Sequence, residues 1–209
     1  YMTYQMLESS LQAKKKNFIS AVKIGYSTEV VVDYSHWVTD LIAVAPNTTL
    51  GTLSIPGAGG ATSYAFDATY VSTNGITDAV IAASREQTLN INELWDQGVR
   101  CFEFMVDNAS SFGSQNIFCN GIKTTTTLNT AVDAVAAKIA ATGEFGMVII
   151  TYQEENYTSY DRNAGRNGFA DYFGKWWKSY NYDGVTKKLY DSSITVEDAK
   201  KCLFCIGRP

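Results

Sequence analysis

Apolar positions at Leu7, Leu11, Phe18 and Val22 recur at helical spacing and predict a helix over residues 7–22. Residues 29–34 (EVVVDY) read as β-rich. Residues 35–42 (SHWVTDLI) predict a short amphipathic helix with Ser35 as its N-cap. Residues 50–57 (LGTLSIPG) read as a strand ending in Pro-Gly, and the Gly-, Ser- and Thr-rich stretch 57–75 as a long loop. Residues 84–99 predict a helix with Leu89, Ile91, Leu94 and Trp95 on one face. It runs directly into a two-faced strand over 99–106 (VRCFEFMV). Residues 115–121 (QNIFCNG) predict a short strand. Residues 127–143 give the clearest helix, with Leu128, Val132, Val135 and Ile139 on one side and Gly143 as its stop. Residues 146–153 (GMVIITYQ) read as a buried strand. Residues 169–180 (FADYFGKWWKSY) read as a covering helix, 192–201 (SSITVEDAKK) as a short capped helix, and 202–209 (CLFCIGRP) as a last strand.

Helices alternating with strands that are apolar on both faces predict an α/β protein with a largely parallel sheet. About five strands are visible, and the chain stops on one of them. The expectation is therefore the front part of a larger α/β architecture. Residues 1–34 would form a helix and β-rich lead-in, and residues 35–209 the part of that architecture present here. The rest would lie elsewhere in the protein or on a partner.

Hydrophobic residues make up 45% of the 209 and charged residues 18%, which is ordinary for a globular chain. No apolar run is long enough to span a bilayer. The net charge is −4, and the only clustered basic residues are Lys14, Lys15 and Lys16. An extended nucleic-acid surface needs more clustered Lys and Arg than this, so nucleic acid is not an expected partner. The lysine run reads as a solvated helix face.

Cys202 and Cys205 have CxxC spacing within a strand, where positions i and i+3 face opposite sides, so they share neither a metal nor a disulfide easily. All four cysteines, with Cys101 and Cys119, read as small buried apolar residues. Asn-x-Ser/Thr triplets begin at Asn47, Asn108 and Asn156, and they carry meaning only in a eukaryotic secreted protein.

Four segments, in order, resemble the X-region of phosphatidylinositol-specific phospholipase C. Leu53-Ser54-Ile55-Pro56-Gly57-Ala58-Gly59-Gly60 is similar to the family's LSIPGTHD. Residues 87–106 (QTLNINELWDQGVRCFEFMV) resemble the helix and strand that end in the family's DIR. Residues 146–155 (GMVIITYQEE) resemble its next strand, and 195–209 its ARGKI turn and fifth strand. The resemblance implies an irregular TIM-like (β/α) barrel with its site at the C-terminal strand ends, of which about the first five strands are present. It also implies a secreted or cell-surface protein of lipid metabolism that cleaves phosphatidylinositol. Phosphoinositide, inositol or a sugar is then the expected ligand.

The family chemistry uses a histidine base, a histidine acid and an arginine that meets the phosphate. Carried over position by position, the base falls on Gly59, its partner aspartate on Gly60, the arginine on Met105 and the acid on Asn120. None of these side chains does the corresponding work. Losing acid and base together forfeits on the order of 10⁴-fold or more. The lone histidine, His36, lies upstream of the first barrel strand and reads as a helix-terminal or surface residue. Glu103 matches a calcium-ligand position of eukaryotic relatives, but one carboxylate does not satisfy an ion that wants six to eight oxygens, and no cofactor is expected. The polar residues left for a pocket are Glu103, Gln153 and Glu155, with Arg162 and Arg166 in a loop over the mouth. Three readings follow: a degenerate phospholipase C-like domain used as a binding or structural module, an active phosphodiesterase or glycosidase built on Glu103 and Glu155, or a surface-adhesion component.

Overall fold

The computed structural model describes residues 33–107, 114–152, 171 and 173–208. The predicted helix over 7–22 and the candidates Gln153, Glu155, Arg162 and Arg166 lie outside the described residues.

Seven strands form one sheet: β1 (Gly57–Ala58), β2 (Cys101–Val106), β3 (Asn116–Cys119), β4 (Ile122–Thr127), β5 (Gly146–Tyr152), β6 (Thr186–Leu189) and β7 (Cys202–Arg208). Their order is β4-β3-β2-β5-β7-β6, with β1 also on β2. The β1/β2, β2/β5, β5/β7 and β6/β7 pairs are parallel, and the β3–β4 hairpin is antiparallel. One edge of β2 serves two partners. β1 pairs with its first residues (Gly57 beside Cys101) and β3 with its last (Met105 beside Phe118). Among the described residues no pairing joins β6 back to β1 or β4.

The helices are α1 (Trp37–Val44), α2 (Ala68–Thr73), α3 (Asp78–Ser84), α4 (Ile91–Asp96), α5 (Leu128–Thr142) and α6 over 173–179. The strand alternation on β2 sorts the core into two parts. Phe102, Phe104 and Val106 face the helices and pack with Trp95 of α4, with Val132, Val135 and Ile139 of α5, and with Trp176 and Trp177 of α6. Each fully buried large side chain contributes about 1.5–3 kcal/mol of hydrophobic free energy. Cys101, on the opposite face, joins Met147, Cys202 and Phe204 in a second core, which Trp37, Val38, Leu50 and Val196 cover from below. That floor is sewn together by backbone hydrogen bonds between two distant segments: Leu50 N–H to Ile194 O, Gly51 N–H to Ser192 O, and Val196 N–H to Thr48 O, at 2.8, 2.9 and 2.8 Å.

The long helix α5 ends where the sequence predicts, with Gly143 at φ 74° and its N–H on Ile139 O. Several other expectations shift. The predicted helix over 84–99 is restricted to Ile91–Asp96, because Asn90 and Glu93 form a capping box that starts it there. The N-cap of α1 is His36, not Ser35, and its side chain makes no cap bond. Glu144 instead reaches Thr39 N–H and Thr39 Oγ1 at 2.8 Å each, a carboxylate supplied to the helix N-terminus from a distant loop. The predicted loop 57–75 contains α2, capped by Asp67. Residues 192–201 form turns rather than a helix, since their backbone is drawn out to pair with residues 48–51. The strand expected over 50–57 shrinks to Gly57–Ala58, because Leu50–Thr52 wind into a 3-10 turn that pairs with residues 192–194. Two strands not expected appear: β4, whose threonines carry no apolar alternation, and the short edge strand β6.

Candidate functional site

The C-terminal end of β1 runs into Gly59 and Gly60, next to Glu103 on β2. A β-carbon at Gly59 would stand 3.2 Å from Glu86 Oε2 and 3.7 Å from Glu103 Oε2. Both carboxylates therefore lie close to that glycine. At Gly60, φ is +51° and a β-carbon would meet Cys119 Sγ and Glu86 Oε2 at 2.8 Å each, so only glycine fits without a shift.

Glu86 is brought here by the turn between α3 and α4. Its N–H and that of Gln87 donate to Ser63 Oγ at 3.0 and 2.8 Å, and Gln87 Nε2 donates to Gly59 O at 3.1 Å. Asn120 closes the opposite side. It occupies the tip of the β3–β4 hairpin at φ 49°, followed by Gly121 at φ 78°. Consecutive left-handed residues are what a two-residue hairpin turn requires, and Asn-Gly is the preferred pair for it. From that position Asn120 Nδ2 donates to Glu86 Oε1 at 3.1 Å and to Ser84 O at 3.2 Å.

Gly60, Glu86, Glu103, Met105, Phe118, Cys119 and Asn120 line a small cavity of about 70 Å³. Its charged groups are two carboxylates. No Lys or Arg lines it, and neither Glu86 nor Glu103 has a cationic partner among the described residues. Burial, helped by the neighbouring Glu86 carboxylate, pushes the Cys119 thiol up to about 11. Its Sγ donates to Ser84 O at 3.4 Å, so it is a protonated wall rather than a nucleophile.

The structure thus gathers Gly60, Met105, Asn120 and Glu103 around one cavity, with Gly59 at its side. Glu86, Phe118 and Cys119 are lining residues that the sequence reading does not single out. The Asn90-Glu93 capping box is the signal that frees Glu86 from a helix. Trp176 and Trp177 lie away from the mouth, buried against α5, with Trp176 Nε1 donating to Asn129 Oδ1 at 2.9 Å. His36 is exposed at the start of α1. The described residues contain no group of three or more His, Cys, Asp or Glu placed to hold a metal ion.

Parallel register continues the face that carries Glu103 and Met105 across the sheet. Glu103 stands beside Ile149, which stands beside Ile206 on β7, and Met105 stands beside Thr151, which stands beside Arg208. Thr151 is 7% exposed and its Oγ1 has no hydrogen-bond partner. Arg208 is exposed at the strand end.

The opposite end of β2 holds a charged pair of another kind. Arg100 is fully buried over the Trp95 ring, 4.0 Å from its centroid. It donates to Glu144, to the Trp95 and Val99 carbonyls and to Ser35 O. Burial lowers the pKa of Arg100, and Glu144 opposes that shift. This cluster clamps α1, α4 and the start of β5 together below the sheet and takes no part in the cavity.

The fold is similar to that of phosphatidylinositol-specific phospholipase C from Listeria monocytogenes, with 15% identity and a TM-score of 0.52 over 85% of this chain and 57% of that one. A doubly substituted form of the Staphylococcus aureus phosphatidylinositol-specific phospholipase C gives 14% identity and a TM-score of 0.60, over 84% and 53%. The chain spans little more than half the length of these structures, and the likeness establishes a phospholipase C-like fold. No protein-family model and no curated protein matches the sequence. No helix among the described residues is long and apolar enough to cross a membrane.

Proposed function

We propose that this chain is a phospholipase C-like domain that uses the mouth of its fold to bind and cleaves phosphodiesters weakly or not at all. One observation carries the reading. Of the positions that the sequence resemblance assigns to base, partner acid, phosphate ligand and general acid, Gly60, Met105 and Asn120 line a single cavity and Gly59 stands at its side. None of them carries a group that titrates near neutral pH or a positive charge to meet a phosphate. In-line attack by an inositol hydroxyl would lack both proton transfers. Binding at or outside a cell surface is the setting that the resemblance implies.

The test is turnover of phosphatidylinositol and of a glycosylphosphatidylinositol, measured beside cosedimentation with vesicles that contain phosphatidylinositol. Binding to the vesicles with cleavage at the buffer rate is the expected result. Cleavage well above that rate would overturn the reading.

The second reading keeps enzyme activity but moves it to carboxylates. The sequence offers Glu103 with Glu155, and the observation that favours such chemistry is the approach of Glu86 to Glu103. Their oxygens lie no further apart than the sum of their two distances to the Gly59 β-carbon position. That limit admits the ~5–5.5 Å separation used by retaining glycosidases. Activity on a chromogenic glycoside or phosphodiester that disappears in Glu103→Gln and Glu86→Gln would establish it. Activity that survives both substitutions would remove it.

A further inference from the structure

The second core is left partly uncovered on the floor of the fold. Leu41, Ile42, Leu53 and Ile194 pack against it and are themselves only partly buried. Trp37, Leu41 and Val44 follow one another at helical spacing along α1, and their burial falls toward its end. Trp37 is buried, Leu41 half-buried and Val44 53% exposed. A chain of edge-on rings runs from Trp37 through Phe145 and Phe204 to Tyr190, at centroid distances of 6.2, 6.3 and 6.4 Å. Tyr190, at its far end, is 39% exposed. Single exposed apolar residues are ordinary, but a joined set over an open core marks a contact surface. Asp40, one turn before Val44, is exposed and has no ion pair among the described residues.

The chain itself supplies a segment that fits. The helix predicted over residues 7–22 carries Leu7, Leu11, Phe18 and Val22 on one stripe. With 3.6 residues per turn, Lys14 and Lys15 fall on either flank of that stripe. The segment joins the structure at Asp33, directly before α1, where Tyr34 lies against Gly98 and Ser35 O accepts from Arg100. The ten residues 23–32 span up to about 33–36 Å. That exceeds the ~24 Å length of a sixteen-residue helix, so the segment can fold back along α1 without strain. Its apolar stripe matches the open flank of the core, and its lysines reach Asp40 from the solvated margin. A second copy of the chain fits less well, because a two-fold contact centred on α1 sets the two Asp40 carboxylates against each other.

We propose that residues 7–22 dock on the floor as an amphipathic helix, covering Leu41, Val44 and Tyr190 and placing the lysine run beside Asp40. The docked helix completes the second core from below. The proposal is independent of the chemistry at the mouth and stands or falls without it.

The experiment is amide hydrogen exchange, read by mass spectrometry, on the full chain and on a Leu11→Asp/Phe18→Asp variant. Amides of residues 41–45 and 190–194 are expected to exchange at least about tenfold faster in the variant, while those of α5 keep their rates. The reciprocal variant Val44→Asp, at an exposed position, should speed exchange within residues 7–22 by a similar factor. In the parent, protection of both segments should not vary with protein concentration. Unchanged exchange at residues 41–45 in the double variant overturns the proposal. Protection that rises with concentration also overturns it and assigns the surface to a second copy. Faster exchange spread evenly over α5 and the strands overturns it too, since that is loosening of the whole fold rather than release of one docked segment.

Discussion

Glu144 Oε2 accepts hydrogen bonds from Nε and Nη2 of Arg100 at 2.8 and 2.5 Å, and both side chains are sealed from solvent. The remaining oxygen, Oε1, caps α1 through Thr39. One carboxylate therefore satisfies a buried guanidinium and a helix end together. Removing it leaves a desolvated charge without a partner, a loss of about 3–5 kcal/mol. Chemical denaturation of Glu144→Ala should show this loss, and a loss below about 1 kcal/mol would show that water reaches Arg100.

The two glycines of the mouth should behave differently. Gly60→Ala places a β-carbon at positive φ against Cys119 and Glu86, so we expect about 1–2 kcal/mol of destabilisation from the backbone alone. At Gly59 the nearest neighbours are the far ends of two glutamate side chains rather than backbone. Gly59→His should therefore fold with a denaturation midpoint near that of the parent. If Gly60→Ala proves as stable as Gly59→His, the β1 turn is looser than described.

Trp176 and Trp177 stack against Tyr180 and α5 rather than facing a ligand. Trp176→Ala should cost roughly 3–5 kcal/mol, the range for emptying a large aromatic site. It should leave the affinity of any mouth ligand unchanged once the variant is folded. A selective loss of ligand binding with little loss of stability would contradict this placement.

The thiols give a pH dependence with a definite sign. Burial, with Glu103 beside Cys101 and Glu86 beside Cys119, pushes both up to about 11 from the ordinary 9.0. The folded protein holds these protons longer than the unfolded chain does. Stability from them is complete below about pH 9 and is lost as the pH rises toward 11. The denaturation midpoint should fall over that interval and fall less in a Cys101→Ala/Cys119→Ala variant. Identical slopes in the two proteins would mean that other groups account for the decline.

How much the sequence reveals depends on which force sets each element. α5, β2, β5 and β7 follow from apolar period alone, because burial on one or both faces dictates their pattern. β4 is missed because a run of threonines has no such pattern. The Asn120-Gly121 pair before it is nevertheless a strong hairpin signal and would have announced it. The turn at 85–90 is hidden for a related reason. Leu89 continues a helical stripe, whereas the Asn90-Glu93 capping box ends that stripe and delivers Glu86 to the cavity. The positions Gly59, Gly60, Met105 and Asn120 are legible through motif order. Their convergence, and the row from Met105 to Arg208, depend on strand pairing between segments far apart in the chain.

Floor and mouth draw on separate sets of contacts. The stitches between residues 48–51 and 192–196 and the Arg100–Glu144 clamp lie at the N-terminal side of the sheet, and none of their groups reaches the cavity. A mutation of an exposed or half-buried mouth side chain such as Glu86 or Glu103 therefore leaves the floor contacts untouched. Such a partition permits neutral drift: chemistry at the rim can be erased, reversed in charge or rebuilt one residue at a time while selection for folding acts elsewhere. The same partition makes the exposed side chains of the rim a suitable place for engineered recognition, Gly60 excepted.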